Sequence, residues 1–423
     1  MKSSTQMVLG LVTAAVVLIA AALWLGREDD GAGRTLLRLR IWDDSFVAAY
    51  RASLDEFERA NPDVRVDVTV VPWASYPQKL RLDVAGGTAD DLFWTNLYED
   101  YADAGRLLDI GALLGPEAAR AWDPSAVAQY TRNGRLWAVP QFVDGGTAVY
   151  YNRELLAAAG VDPAELATLR WSPGEDDTFR PLLRRLAAVA PWAYNAANDF
   201  QSINLPYLGS AGGRFQDGGR FVFDGPAGVT AFGYLTRLVA DGLAPSAADT
   251  NTNRDFAKNA FLQGKLALFQ SGTYNLAQIA RQATFGWGVA MLPHGPAGRV
   301  STDNAIGVAG NAATRHPDAV RRVLAWLGGA AGNRYLGVHG ATIPAVSAVQ
   351  QVYRDYWSRR GIDVGPFFDV LAGPRIESGG GPGFPAALKA IDPILGEMFL
   401  GRIPVPEALA RARAAAERAA GPQ

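Results

Sequence analysis

Residues 37–70 constrain the fold more than any other part of the chain. Leu37, Leu39 and Ile41 alternate with Arg38 and Arg40, the period-two pattern of a strand with one buried face. Ser45 offers a helix cap, and Tyr50, Leu54 and Phe57 recur at helical spacing until Asn61 and Pro62 stop the run. Val64, Val66, Val68 and Val70 then alternate with Arg65, Asp67 and Thr69. A strand, a helix and a strand in succession predict an α/β sheet, and such sheets bind ligands at the carboxyl ends of their strands. Trp42, Asp43 and Asp44 fall at one such end. A helix over 75–85 stopped by Gly86 and Gly87, then a short buried strand at 92–94, puts Trp94 and Asn96 at another.

The pattern continues along 423 residues, 49% hydrophobic and 19% charged, which is too much chain for one small core and too apolar for disorder. Strands are expected at 136–140 and 148–151, a helix at 154–159, and a mainly helical stretch over 181–285. A strand near 306–309, helices at 317–327 and 332–337, a glycine-rich loop at 378–384 and an Ala/Arg-rich last helix complete the reading. Forty basic against forty-two acidic residues leave a formal charge of -2, so no overall basic field attracts nucleic acid. The absence of cysteine excludes disulfides, thiolate metal sites, a cysteine nucleophile and a lipid-modified N-terminal cysteine. Neither a phosphate loop nor a calcium loop is present, and no cofactor or metal is expected.

Residues 7–25 carry no charge, follow Lys2 and precede an acidic, glycine-containing linker. As a helix they would span roughly 28 Å at ~1.5 Å per residue, close to the hydrocarbon thickness of a bilayer. The charge distribution favours an inside amino terminus and an extracytoplasmic body. Ala20, Ala21 and Ala22 would suit a cleaved signal peptide, whereas the length of the run favours an anchor that remains.

Several segments together resemble the extracellular solute-binding proteins of ATP-driven (ABC) importers, in the sugar-binding branch similar to maltose-binding protein. The resemblance is carried by Ile41-Trp42-Asp43-Asp44, by Ala85-Gly86-Gly87-Thr88-Ala89-Asp90-Asp91-Leu92-Phe93-Trp94 and by Gly105-Arg106-Leu107-Leu108-Asp109. It continues in Gly134-Arg135-Leu136-Trp137-Ala138-Val139-Pro140, in Tyr150-Tyr151-Asn152, in Phe261-Leu262-Gln263-Gly264-Lys265-Leu266-Ala267, in Gly272-Thr273-Tyr274 and in Ala341-Thr342-Ile343-Pro344-Ala345. It implies a periplasmic-binding-protein-like fold of two α/β lobes, joined by a hinge of several crossings, that close on a ligand. Residues 1–33 would be the leader and linker, 35–142 with 296–342 the first lobe, and 143–295 with 343–423 the second. The crossings would lie near 142–144, 292–295 and 340–344. By the same resemblance the chain would act as a monomer that hands a carbohydrate to permease subunits in the membrane. The family's common lipid anchor is ruled out, so the N-terminal segment would replace it.

A sugar presents hydroxyls to polar side chains and C–H faces to aromatic rings. On that ground, and at the positions the resemblance indicates, the candidate contacts are Trp42, Asp43, Asp44, Trp94, Asn96, Asp144, Asn195, Asn198, Tyr274, Asp303, Asn304 and Phe384. Trp94 and Asp144 are expected to be contacts whose truncation weakens binding and leaves the fold intact. Each has a structural counterpart: Trp42 and Trp94 as core rings, Asp44 as a helix cap, Asp144 as a hinge residue, Tyr274 and Phe384 as packing. Two other classes stay open. One is a cleft for a charged solute such as a phosphate ester, polyamine or peptide; the other is a glycosidase using Asp44 and Asp144 as its carboxylate pair.

Overall fold

The computed structural model describes residues 33–421 except Ala74, Asp144, Gly145 and Pro382, and the backbone alone of Asp303. The expected leader over 7–25 therefore lies outside the described residues, and no helix among those described is long and apolar enough to cross a membrane.

The strands that organise the chain are β1 (Thr35–Ile41), β2 (Val64–Val70), β3 (Leu92–Thr95), β4 (Val139–Val143), β5 (Thr147–Asn152) and β6 (Trp192–Tyr194). They continue with β7 (Leu266–Gly272), β8 (Trp287–Ala290), β9 (Ser301–Asp303), β10 (Ala305–Gly310) and β11 (Arg375–Glu377). One sheet has the order β2-β1-β3-β10-β4, a second β8-β5-β7-β6. In the first, β1, β2 and β3 run parallel, with Ile41 opposite Val70 and Leu39 opposite Leu92, so their carboxyl ends share one edge. Strand β10 enters antiparallel between β3 and β4.

Each sheet has its own core. Around the first, Tyr50, Leu54 and Phe57 of the helix Val47–Ala60 and Val320, Val323, Leu324 and Leu327 of the helix Pro317–Leu327 pack with the strands, the apolar stripe expected of a half-buried helix. Around the second, successive residues of β5 face opposite ways: Val149 and Tyr151 join one cluster with the helices Phe384–Phe399 and Val405–Ala420, while Ala148 and Tyr150 join another with Tyr353 and Trp357. The helical expectation for 181–285 needs correction, because β6 and β7 lie within it. All seven residues of β7 are buried, and a strand covered on both faces shows no alternation to distinguish it from a buried helix.

The chain passes between the sheets from β4 to β5, again from β9 to β10, and a third time through 342–346. These passages are bonded side by side: Val143 N donates to Ile343 O at 3.1 Å, Ala345 N to Gln141 O at 2.9 Å, and Thr147 N to Ser301 Oγ at 3.0 Å. The second passage is displaced from its expected place at 292–295. His294 N donates to Leu169 O at 2.7 Å and Trp171 N to His294 O at 2.8 Å, which holds that segment within the second body; the chain leaves it at β9, paired in parallel with β11.

Candidate functional site

The shared edge of β1, β2 and β3 opens into a pocket lined by Trp42, Trp73, Tyr76, Arg81, Asn96 and Tyr101, among others, with Gly381 and Pro385 reaching over from the second body. Each strand end contributes: Trp42 follows β1, Trp73 lies just past β2, and Asn96 follows β3. The helix Tyr76–Gly86 supplies the next wall and ends at Gly87, whose φ of 70° is a left-handed conformation glycine adopts readily. Arg40 of β1, 5% exposed, locks that helix in place by bonding Asp83 at 2.6 Å on it and Asp90 at 2.5 Å just beyond it.

The floor is aromatic. Trp42 is half-buried, with Trp73 and Tyr76 each 5.1 Å away between ring centroids and Trp94 at 4.8 Å, the last two nearly edge-on. Trp73 is 51% exposed, so the cluster ends at the surface in a large ring with nothing covering half of it. Trp94 is 0% exposed. Its indole N–H donates to Tyr50 Oη at 2.8 Å, Tyr50 donates on to Gln141, and Tyr76 Oη donates to the Trp94 carbonyl at 2.7 Å. Trp94 is therefore a core ring beneath the floor rather than a contact surface, which corrects its expected role.

The polar rim continues from β3. Tyr130 Oη bonds the carbonyls of Thr95 at 2.6 Å and Ala305 at 2.7 Å, fixing the ends of β3 and β10 together. Glu99 accepts N–H bonds from Tyr98 at 3.0 Å and from Gly381 at 3.2 Å. Burial pushes its carboxyl above the usual range, against these bonds and Arg132, which pull it down. Burial likewise pushes the Tyr101 hydroxyl up to about 12. Asp43, half-buried, accepts from Ser45 N at 2.9 Å and caps the short turn Asp44–Phe46, the role expected of Ser45 or Asp44; Asp44 itself is exposed.

The second body holds the other candidates, and several are spoken for by structure. Asn195 extends the β6–β7 ladder with its side chain, donating to Gln270 O at 2.9 Å and accepting from Gln270 N at 2.7 Å. Asn198 donates to Asp392 and accepts from Asn204, which ties its loop to the helix Phe384–Phe399. Phe384 is 2% exposed and packs against Phe215 and Phe221, so it belongs to the core and offers no platform. These three corrections share a cause: polar and aromatic residues at strand and helix ends can satisfy backbone or fill a core as readily as meet a ligand. Tyr274 is half-buried, its ring against Gly272, where a Cβ would come within 2.4 Å. Its hydroxyl shares a 2.6 Å bond with Ser202 Oγ. Asn304 is 7% exposed at the passage between β9 and β10, Asp303 contributes backbone pairing with Glu377, and Asp144 lies outside the described residues.

Of the candidates, the pocket brings together Trp42 and Asn96, with Trp94 beneath its floor; Asn195, Asn198 and Tyr274 are not among its lining residues and make their bonds within the second body. Trp73, Tyr76, Arg81, Asp100 and Tyr101 were not anticipated. The signal for Trp73 lies in the alternation of β2, which ends three residues before it and is as legible as that of β1. Among the described residues no group of three or more His, Asp or Glu stands close enough to hold a metal ion.

Residues 43–334 match the model of the bacterial extracellular solute-binding protein family. The crystal structure of M. tuberculosis UspC superposes with a TM-score of 0.77 at 54% identity, covering 91% of this chain and all of that one. The ABC substrate-binding protein Lmo0181 from Listeria monocytogenes, in complex with cycloalternan, gives 0.78 at 18% identity, covering 91% of this chain and 98% of its own, a likeness of fold. A binding protein of Brucella abortus (strain 2308) is 24% identical over 258 residues, 58% of this chain; the match spans 60% of that relative's length.

Proposed function

This chain belongs to the bacterial extracellular solute-binding protein family, and we propose that it captures a carbohydrate between two closing lobes and delivers it to the membrane subunits of an ABC importer. The lobes of this reading are the bodies built on the two sheets, divided at the three passages. The family is one of solute-binding proteins rather than a class of enzymes. Its extracellular character fits a chain carried outside the cytoplasmic membrane, with residues 7–25 as leader or anchor.

The observation that carries the carbohydrate reading is the aromatic floor, where the half-exposed Trp73 ring stands beside Trp42 with Asn96, Arg81 and Asp100 around it. A flat apolar ring edged by hydrogen-bonding groups matches the two faces of a sugar. The cycloalternan held by the Listeria protein of the same fold supports it. We assign ligand contacts to Trp42, Trp73 and Asn96 on the first lobe and to Tyr274 on the second, with Asp144 retained from the sequence.

The test is a thermal-shift screen of the full chain against mono- and oligosaccharides, with product analysis of every hit. A sugar that raises the melting temperature and is recovered intact supports the reading. Cleavage of the hit would replace it with hydrolysis by an Asp44 and Asp144 pair, and a screen in which only charged solutes shift the transition would replace it with the charged-solute cleft.

A further inference from the structure

The glycine-rich segment ahead of the helix Phe384–Phe399 makes contacts that the capture of a ligand does not require. It is rooted in the second body, where Gln216 Oε1 accepts from Gly380 N at 2.8 Å and Phe384 sits in the core. It also reaches the first body: Gly381 N donates to Glu99 Oε1 at 3.2 Å and Gly383 N to Asp100 Oδ1 at 3.4 Å. Beside them Leu97, from the loop after β3, packs against the core of the second body. Backbone donors on one body thus meet carboxylates on the other at the rim of the pocket.

We propose that Glu99 and this segment form a latch that holds the two bodies together in the absence of ligand and so sets the population of the closed form. This rests on the reading of the bodies as closing lobes. Gly380 carries the argument furthest. A Cβ there would stand 2.4 Å from Glu99 Oε1, and among the described residues, its chain neighbours aside, the atoms it would meet within 4 Å belong to Glu99. Its φ lies outside the left-handed region, so the backbone does not demand glycine. A side chain at Gly380 would therefore displace the Glu99 carboxylate from its place beside the segment. Gly381 and Gly383, with φ of 96° and 74°, do need glycine, and their conformations turn the donors toward Glu99 and Asp100.

A ligand then binds a protein whose closed arrangement is already populated, and apparent affinity depends on that population. The chain has no cysteine, so two introduced ones can carry spin labels without background. Arg184→Cys on the helix Phe179–Ala187 and Arg321→Cys on the helix Pro317–Leu327 place exposed labels on the two bodies. In the full-length, sugar-free protein, pulsed electron–electron distance measurements should show Glu99→Ala and Gly380→Ala each shifting the ratio of long to short distances by tenfold or more, since a bond to a carboxylate is lost. Glu99→Gln, which keeps an acceptor for Gly381 N, should stay near the parent distribution. Adding Gly380→Ala to Glu99→Ala should change nothing further, because the clash is gone.

Unchanged distances in both single variants would overturn the latch. So would a Gly380→Ala effect that persists in full without Glu99. Because no sugar is present, widened distances alongside a failed sugar screen would leave the latch standing and remove only the carbohydrate reading.

Discussion

Truncating Trp73 should separate binding from folding. The ring is 51% exposed, so the fold already does without burying half of it. A tryptophan carries about 150–250 Å² of surface, which leaves roughly 100 Å² for a ligand to cover. At about 25 cal/mol per Å² that surface is worth at most ~2.5 kcal/mol, and stacking adds about 0.5–1.5 kcal/mol. Ligand ordering costs reduce the net. Trp73→Ala should therefore weaken the best sugar found by thermal shift by about 1.5–3 kcal/mol, roughly 10- to 150-fold in Kd. Isothermal titration calorimetry measures this directly, and urea unfolding of the same variant should give a stability within about 1 kcal/mol of the parent. An unchanged Kd would refute the assignment of this ring to the ligand, and a large loss of stability would refute the claim that its exposed half is free of structural duty.

Trp94→Ala should behave in the opposite way: emptying a fully buried indole site and stranding Tyr50 should cost about 3–5 kcal/mol in urea unfolding. A stability equal to that of Trp73→Ala would contradict the core placement. Arg40→Met leaves Asp83 and Asp90 facing each other without their cation, and because Asp83 keeps some solvent the loss should be about 3 kcal/mol, the low end for a buried pair. The test is whether denaturant unfolding detects it at all. Asp199 is partly exposed as a residue, yet burial raises its carboxyl pKa above the unfolded value, so its stabilising contribution is present in acid and lost as pH rises through the folded pKa. Asp199→Asn, still able to accept from Ser202 N, should therefore melt above the parent at pH 7, and the gap should narrow as pH falls toward the unfolded carboxylate range; a gap that does not change with pH would show the charge to be irrelevant.

The legibility of the chain followed the physics of exposure. Where one face of an element meets solvent, as in β2 and the helix Pro317–Leu327, alternation or helical spacing is printed in the residues; in β1 the alternation is present, but Arg40 on its charged face is buried in ion pairs with Asp83 and Asp90. Where both faces are covered, as in β7, the pattern disappears and neighbouring helices swamp the reading. The candidate site was legible to the extent that strand ends were: Trp42 and Asn96 line the pocket because β1 and β3 end there. What sequence could not supply was depth. Trp42 just follows β1 and Trp94 lies near the end of β3, places the sequence does not tell apart, and packing against Tyr50, Phe46 and Phe142 puts the second beneath the first. Asn195 and Asn198 looked like hydroxyl partners because the amides suit that chemistry, but a backbone ladder and an Asp392 carboxylate reached them first.

The insertion of β10 between β3 and β4 bears on how the chain comes into being. Until Gly310 has emerged, the first sheet is split: β3 and β4 each present an unpaired edge, and neither can be completed by anything nearer in sequence. Contacts of such long sequence separation form slowly. A nascent chain shorter than this has no finished first sheet. Fragments that stop before residue 305 should remain protease-sensitive throughout, whereas chains that run past β10 and the helix Pro317–Leu327 should begin to acquire a resistant amino-terminal body.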